Sequence, residues 1–238
     1  MIKQLNSIKF IYKGTLEIDE DTKIKIQKYW NLIKEEKVFL KESKILIVTN
    51  ITNKNDNFIL ELKETTFSNY MYAKINGDIK PLFSGAYVIT KDNYLMTVLN
   101  HYYENELEFE TLNLVGGMSD SKDIISGEYQ SITCLQREIK EEIGLDIDNN
   151  NYSINLKYIK YPNDYENKVN YAIGTIYEIK TKYTKNELIR MFEESTHDNE
   201  IKELVFFTQD NYKEIYNYKH KKQYIPELFE LIYNEEGK

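Results

Sequence analysis

Gly127 to Leu145 reads GEYQSITCLQREIKEEIGL. On a helix of 3.6 residues per turn, Ile132, Leu135, Ile139 and Ile143 fall on one stripe at steps of three, four and four, which predicts a buried face. Glu138 precedes Glu141 by three residues and Glu142 by four. Three carboxylates thus crowd within about one turn, repelling one another unless a cation joins them. Several oxygen ligands on one rigid element suit Mg²⁺ or Mn²⁺. The competing reading is a solvated face, since glutamate is a good helix former and Arg137 pairs with Glu141 at i, i+4. Arg137 weighs against it. Of 31 basic residues only Arg137 and Arg190 are arginine, and a planar guanidinium braces carboxylates with a fixed fork that lysine lacks. Gly144 then ends the predicted helix with the residue best able to turn left-handed.

The rest of the chain sets bounds on this reading. Its 238 residues, 41% hydrophobic and 29% charged, suffice for one large domain or an ordinary domain with an extension. The single cysteine, Cys134, leaves no disulfide framework and no Cys-rich zinc site. A reducing, cytoplasmic location is expected, because the N-terminus lacks a signal-peptide pattern and no run approaches a bilayer span of about 20 apolar residues. A net charge of −8 argues against bulk binding of nucleic acid. The richness in Lys, Asn, Ile and Tyr matches A/T-rich codons and reports nucleotide composition.

Upstream, a strand through Leu16 to Ile18 leads past Asp19, Glu20 and Asp21 into a helix over 22–36. KILIVTNI and NFILELKET, joined by NKND, predict a hairpin. GDIKP at 77–81 marks a seam between an α+β extension, 1–80, and a main domain, 81–238. The main domain is expected to run through strands SGAYVIT, YLMTVL and TLNLV, a Gly-Gly loop and the helix above. NLKYIKY and NYAIGTIYEI, a helix near KNELIRMFEE, the strand KELVFF and a last helix from Pro226 complete it. Strands mixed with helices make the class α/β or α+β.

The run Arg137, Glu138, Ile139, Lys140, Glu141, Glu142, Ile143, Gly144, Leu145 resembles, without a gap, the second half of the Nudix hydrolase signature, G-x5-E-x7-R-E-U-x-E-E-x-G-U with U aliphatic. The first half departs from it. Counted from Gly117, the first glutamate falls on Asp123 and the arginine on Ser131, six places early. A longer loop therefore separates Gly117 from Gly127 and Glu128, and eight residues lie between Glu128 and Arg137 where the family has seven. SGAYVIT, KDN, YLMTVL and LVGG look like the strands before a Nudix box, and IKELVFF like the strand after a late acidic loop. The resemblance covers about 150 residues.

The resemblance implies an α/β/α sandwich with a mixed sheet, and a hydrolase that splits a diphosphate bond with Mg²⁺ or Mn²⁺. It implies Glu141, Glu142 and the carbonyl of Gly117 as metal ligands, with Glu138 sharing metal and orienting or deprotonating water. Arg137 would hold the carboxylates in place. In THDNEIKE, His197, Asp198, Glu200 and Glu203 are candidates for a late base or ligand, and Glu200, just before the strand, is the choice among them, with a solvated loop glutamate an equally good reading. The expected partner is a nucleoside diphosphate linked to another moiety. A nucleotide sugar comes first, because LELKETTFSNYMYAKI looks like the extension of some nucleotide-sugar hydrolases. That extension is also a candidate dimerisation unit for a homodimer.

Two other functions stay open: an mRNA-decapping Nudix enzyme acting on capped RNA, and a Nudix-fold nucleotide-binding module without turnover. No membrane partner is expected. Cys134 reads as a small buried residue, since no basic pair stands near it to lower its pKa. KHKK at 219–222 could touch phosphates but reads as surface, as four basic residues in an acidic chain usually are. Phe83 and Tyr103 read as core aromatics that could alternatively stack a base. His101 and His197 are assigned to no metal.

Overall fold

The computed structural model describes every residue except 38–39, 77–78, 105–106, 149, 162–171, 198–199 and 237–238, together with the side chains at 36, 76, 102–104, 107–109 and 235–236. The chain begins with β1 (Ile2–Gln4), β2 (Ser7–Thr15), α1 (Glu20–Glu36), β3 (Lys44–Lys54), β4 (Asn57–Thr66) and α2 (Phe67–Asn76). It continues through β5 (Leu82–Ile89), β6 (Leu95–Glu104), β7 (Leu107–Asn113), β8 (Val115–Met118), β9 (Ile124–Ile125), β10 (Glu128–Tyr129) and α3 (Ser131–Ile143). The last elements are β11 (Tyr152–Lys160), β12 (Ile173–Thr181), α4 (Lys185–Glu194), β13 (Ile201–Phe207) and α5 (Tyr224–Glu236).

The main sheet has the order β1-β11-β12-β5-β6-β13, with β7 added to β6 and β8 to β5. It is mixed: β12 runs parallel to β5, and the other pairings are antiparallel. Strand alternation sends successive side chains to opposite faces, and both faces are covered. Ala86, Val88, Met96 and Val98 pack with Leu135, Ile139 and Ile143 of α3 and Leu188 and Phe192 of α4. Tyr87, Leu95 and Leu99, one position out of step, pack with Leu228, Phe229 and Ile232 of α5 on the other face. Helix, sheet and helix thus form the expected three layers.

A second sheet, β2-β4-β3, carries the N-terminal extension. Asp19 caps α1 by accepting from the Thr22 N–H at 2.8 Å, as the acidic stretch before the helix predicts. The β3–β4 hairpin closes on Asn55 and Asp56, both at positive φ (53° and 59°), the conformation that suits a two-residue turn. Leu46, Leu60 and Leu62 of this sheet share one core with Leu82, Ile159 and Ile173 of the main sheet. β1 reaches further and pairs with β11.

Four expectations need correction. The first long strand is Ser7–Thr15, and Leu16 to Ile18 is connection, because the strand takes its register from β4 and ends where Thr15 meets Glu64. FSNYMYAKIN is a helix, α2, that packs along α1. The Gly-Gly loop is strand β8, paired with β5 so that Ser84 meets Gly117 and Gly85 meets Gly116. Gly127 to Tyr129 belong to a small hairpin, β9–β10, and the helix starts only at Ser131.

Candidate active site

β8 and α3 lie side by side, and glycine makes this possible. A Cβ at Gly116, which has φ of 128°, would stand 2.2 Å from the Ser84 carbonyl oxygen. One at Gly117 would stand 2.2 Å from a carboxylate oxygen of Glu138. The helix stripe is buried as its spacing predicts, apart from the half-buried Ile132. That burial sets the rotation of α3 and turns Glu138 and Glu142 toward β8. Glu142 is buried and accepts from the Gly116 N–H at 2.8 Å. Gly144 ends the helix left-handed at φ 69°, its N–H donating to the Lys140 carbonyl.

Arg137 is the hub. Its Nε donates to Asp123 Oδ1 at 3.3 Å and one terminal nitrogen to Asp123 Oδ2 at 3.1 Å, a two-pronged grip on a fully buried carboxylate. The same nitrogen donates to the Met118 carbonyl at 3.2 Å. The other donates to Glu138 at 2.5 Å and to Glu141 at 3.3 Å. One guanidinium thus ties the β8 exit, the loop after it and two helix carboxylates into one network. Burial raises the Glu138 pKa to about 7, an effect that Arg137 opposes and Glu141 and Asp123 reinforce.

Asp123 is the residue that motif spacing alone leaves without a role. It stands at the first acidic place counted from Gly117, and its distance to Arg137 is longer than the signature's by the length of the β9–β10 hairpin. The hairpin turns on Ser126 (φ 54°) and Gly127 (φ 84°) and brings the chain back, so that Gln130 N–H donates to the Asp123 carbonyl at 2.9 Å. Asp123 also accepts from the Asp120 N–H at 2.8 Å. Tyr129 follows, its hydroxyl within 2.6 Å of Ser119 and 3.2 Å of Ser84 and its ring against Phe10 of β2. Glu128 is exposed on β10. The inserted residues are a built spacer that leaves the arginine and the acid in contact.

A cleft of about 760 Å³ opens beside this network, lined by Gly116, Gly117, Glu138 and Glu142 on one side of its perimeter and by Glu200 from the turn before β13. Glu200 is exposed, and its backbone carbonyl accepts from the His101 N–H at 2.8 Å. Glu141 is half exposed and engaged by Arg137. The Gly117 carbonyl accepts a weak bond from the Cys134 thiol at 3.8 Å. Cys134 is fully buried, and burial and then Asp123 push its thiol far up, which suits a packing residue. His197 stacks on Phe192, with ring centroids 4.3 Å apart. Glu203 sits within β13 opposite Leu99. Asp198 and the Tyr103 side chain lie outside the described residues.

Two cleft residues escape motif reading altogether. Lys160 ends β11 and Lys222 closes the KHKK segment, and both line the cleft, so this segment is more than outer surface. No described helix is long and apolar enough to cross a membrane. Among the described residues no group of three or more His, Cys, Asp or Glu side chains converges as a ready metal cage. The donor set nevertheless fits a divalent cation. Hard carboxylate oxygens of Glu138 and Glu142 border one cleft, and Mg²⁺ commonly takes one or two protein carboxylates and completes its shell with water and substrate phosphate.

No family model matches the chain, and no curated protein does. Among solved structures, it is similar to a NUDIX hydrolase from Nitrosomonas europaea at 15% identity and a TM-score of 0.42, covering 67% of this chain and 90% of that one. The NUDIX domain of NrtR from Shewanella oneidensis, solved with ADP ribose, matches at 12% identity and 0.45, covering 72% and 99%. DR0079 from Deinococcus radiodurans matches at 15% and 0.44, covering 78% and 96%. The likeness is one of fold outline. Within this outline the segment 137–145 holds the site together, with Arg137 gripping Asp123 and Glu138 set against Gly117.

Proposed function

We propose that the protein is a Mg²⁺- or Mn²⁺-dependent hydrolase that cleaves the phosphoanhydride bond of a nucleoside diphosphate linked to another moiety, with nucleotide sugars as the first class to test. One observation carries this reading: Arg137 holds Glu138 at 2.5 Å on the border of a cleft that Glu142 shares. Glu138 and Glu142, with Glu141 and the Gly117 carbonyl, would hold the metal. Bound there, the ion would supply positive charge to the phosphoryl oxygens as the bond breaks. Glu138, on the border of the cleft, would orient or deprotonate the attacking water. Arg137 keeps the carboxylates from springing apart. Glu200, on the same cleft, is the second candidate base.

The test is chromatographic analysis of products after incubation with either metal and a panel of nucleotide sugars, dinucleotides and capped RNA. The expected result is a nucleoside monophosphate from one panel member, with turnover reduced at least about a thousandfold in Glu142→Gln. Release of a capped fragment instead would assign the chain to decapping. A second reading, a nucleotide-binding module, is favoured by the engagement of Glu141 with Arg137 and by the lack of a converged three-carboxylate cage among the described residues. It takes over if no panel member turns over with either metal while one raises the melting temperature.

A further inference from the structure

Lysines distant in sequence meet in the cleft that Glu138 and Glu142 border. Lys160 is almost fully buried, at 9% exposure. Its Nζ donates to the Ala172 carbonyl at 2.6 Å and stands 5.5 Å from the Phe83 ring centre and 5.4 Å from that of Tyr224. This seat is built from several strands. A Cβ at Gly174 would fall 2.0 Å from the Phe83 ring, so glycine on β12 makes the room in which the ring lies under the lysine. The Tyr224 hydroxyl bonds Asn113 at 2.9 Å and fixes the second ring.

Lys222 reaches the cleft by a different route. The segment before α5 is strapped to β7: Leu112 N–H donates to the His220 carbonyl at 3.1 Å and Lys222 N–H to the Leu112 carbonyl at 3.0 Å. Lys222 stays accessible to solvent along the cleft while the walls around it lower its pKa. Burial, then the charge of Lys222, bring Lys160 down to about 8. Lys74 of α2 is lowered by burial and by the same Lys222. Tyr224, the first residue of the 13-residue helix α5, lines the cleft, but the helix start is no phosphate cradle: the Ile225 N–H donates to the Lys222 carbonyl at 3.0 Å and Pro226 has no N–H. Glu227 in its first turn accepts from the Ile2 N–H at 2.9 Å.

The charge of Lys222 opposes that of Lys160, and an anion bound between them would offset this repulsion. The same cleft is lined by Glu138, Glu142, Glu200 and Glu227, so its lining is of mixed charge, with the two lysines as the groups suited to an anion. We propose that Lys160 and Lys222 form an anion subsite that anchors a phosphoryl group of the substrate. In naming substrate, the inference rests on the hydrolase reading above. The subsite itself needs neither metal nor turnover, because ammonium groups bind phosphate directly.

The test uses the full chain, inorganic pyrophosphate and isothermal titration calorimetry, with EDTA to remove divalent ions. The expected result is binding that weakens about tenfold or more in Lys222→Gln, the scale of one lost charge-assisted hydrogen bond, and is unchanged in Lys9→Gln, an exposed lysine of β2 outside the cleft. Lys160→Gln should weaken it as well. If that variant does not fold, the exposed Lys222 carries the test, its melting temperature checked against the parent. Pyrophosphate that binds only with metal, or binds Lys222→Gln as tightly as the parent, overturns the proposal. Lysine-dependent binding in a protein that hydrolyses nothing sustains the subsite and removes the hydrolase reading.

Discussion

Helix α3 and the loop that precedes it hold opposite ends of one network, yet they are specified differently. In α3 every important relation is local: the buried stripe, the carboxylate spacing and the Gly144 cap follow from residues within four positions of one another. In the stretch from Ser119 to Gln130 the relations are long-range. Asp123 finds Arg137, and Tyr129 finds Ser84 and Phe10. The lesson is that a motif can be interrupted in sequence and intact in space, provided the insertion folds into something that returns the chain.

The largest expected effect tests that claim. Asp123→Ala removes the buried partner of a guanidinium and should lower unfolding free energy by about 3 kcal/mol or more, the scale for breaking a buried ion pair. Urea denaturation reads it, and a loss under about 1 kcal/mol would mean that the helix alone holds Arg137. A smaller effect concerns Glu138. Its folded pKa of about 7 exceeds the ordinary carboxylate value of 4.5, so the folded protein holds a proton that the unfolded chain releases. Stability from this group is full below about 4.5 and is lost as pH rises through about 7, by about 3 kcal/mol. Melting in EDTA across that window should show the decline, and Glu138→Gln should flatten it. An equal slope in the variant would assign the decline to other groups. The smallest effect lies in the hairpin turn. Ser126 sits at φ 54°, where asparagine is more at ease, so Ser126→Asn should add about 0.5 kcal/mol without changing activity. A loss of stability would show that the serine serves more than the turn.

The same division explains how much could be read from residues alone. Apolar spacing exposes α3 and α4, and the Asn-Asp turn exposes the β3–β4 hairpin, because each signal lies within one element. Helix α2 escapes because FSNYMYAKIN mixes aromatic and polar residues without a clear apolar stripe, although Thr66 caps it by accepting from the Asn69 N–H at 3.2 Å, and its packing against α1 decides the outcome. Of the site, Gly117, Glu138 and Glu142 are legible from the motif and come to one cleft, and Glu200 joins them from its loop. Asp123 is legible only once the insertion is seen to fold. Lys222 is legible only as one of the basic residues of KHKK, and Lys160 not at all, since only the fold brings the end of β11 near the start of α5.

The pairing of β1 with β11 bears on the order of events during folding. Ile2 meets Lys160 across the sheet, and its N–H reaches Glu227 near the far end of the chain. Such contacts close very long loops, whose entropy must be spent before the contact returns anything, so they form late. The rim of the cleft next to Lys160 is therefore expected to assemble after the α3–β8 core, and a ribosome-bound chain cannot complete it until nearly all of the sequence has emerged.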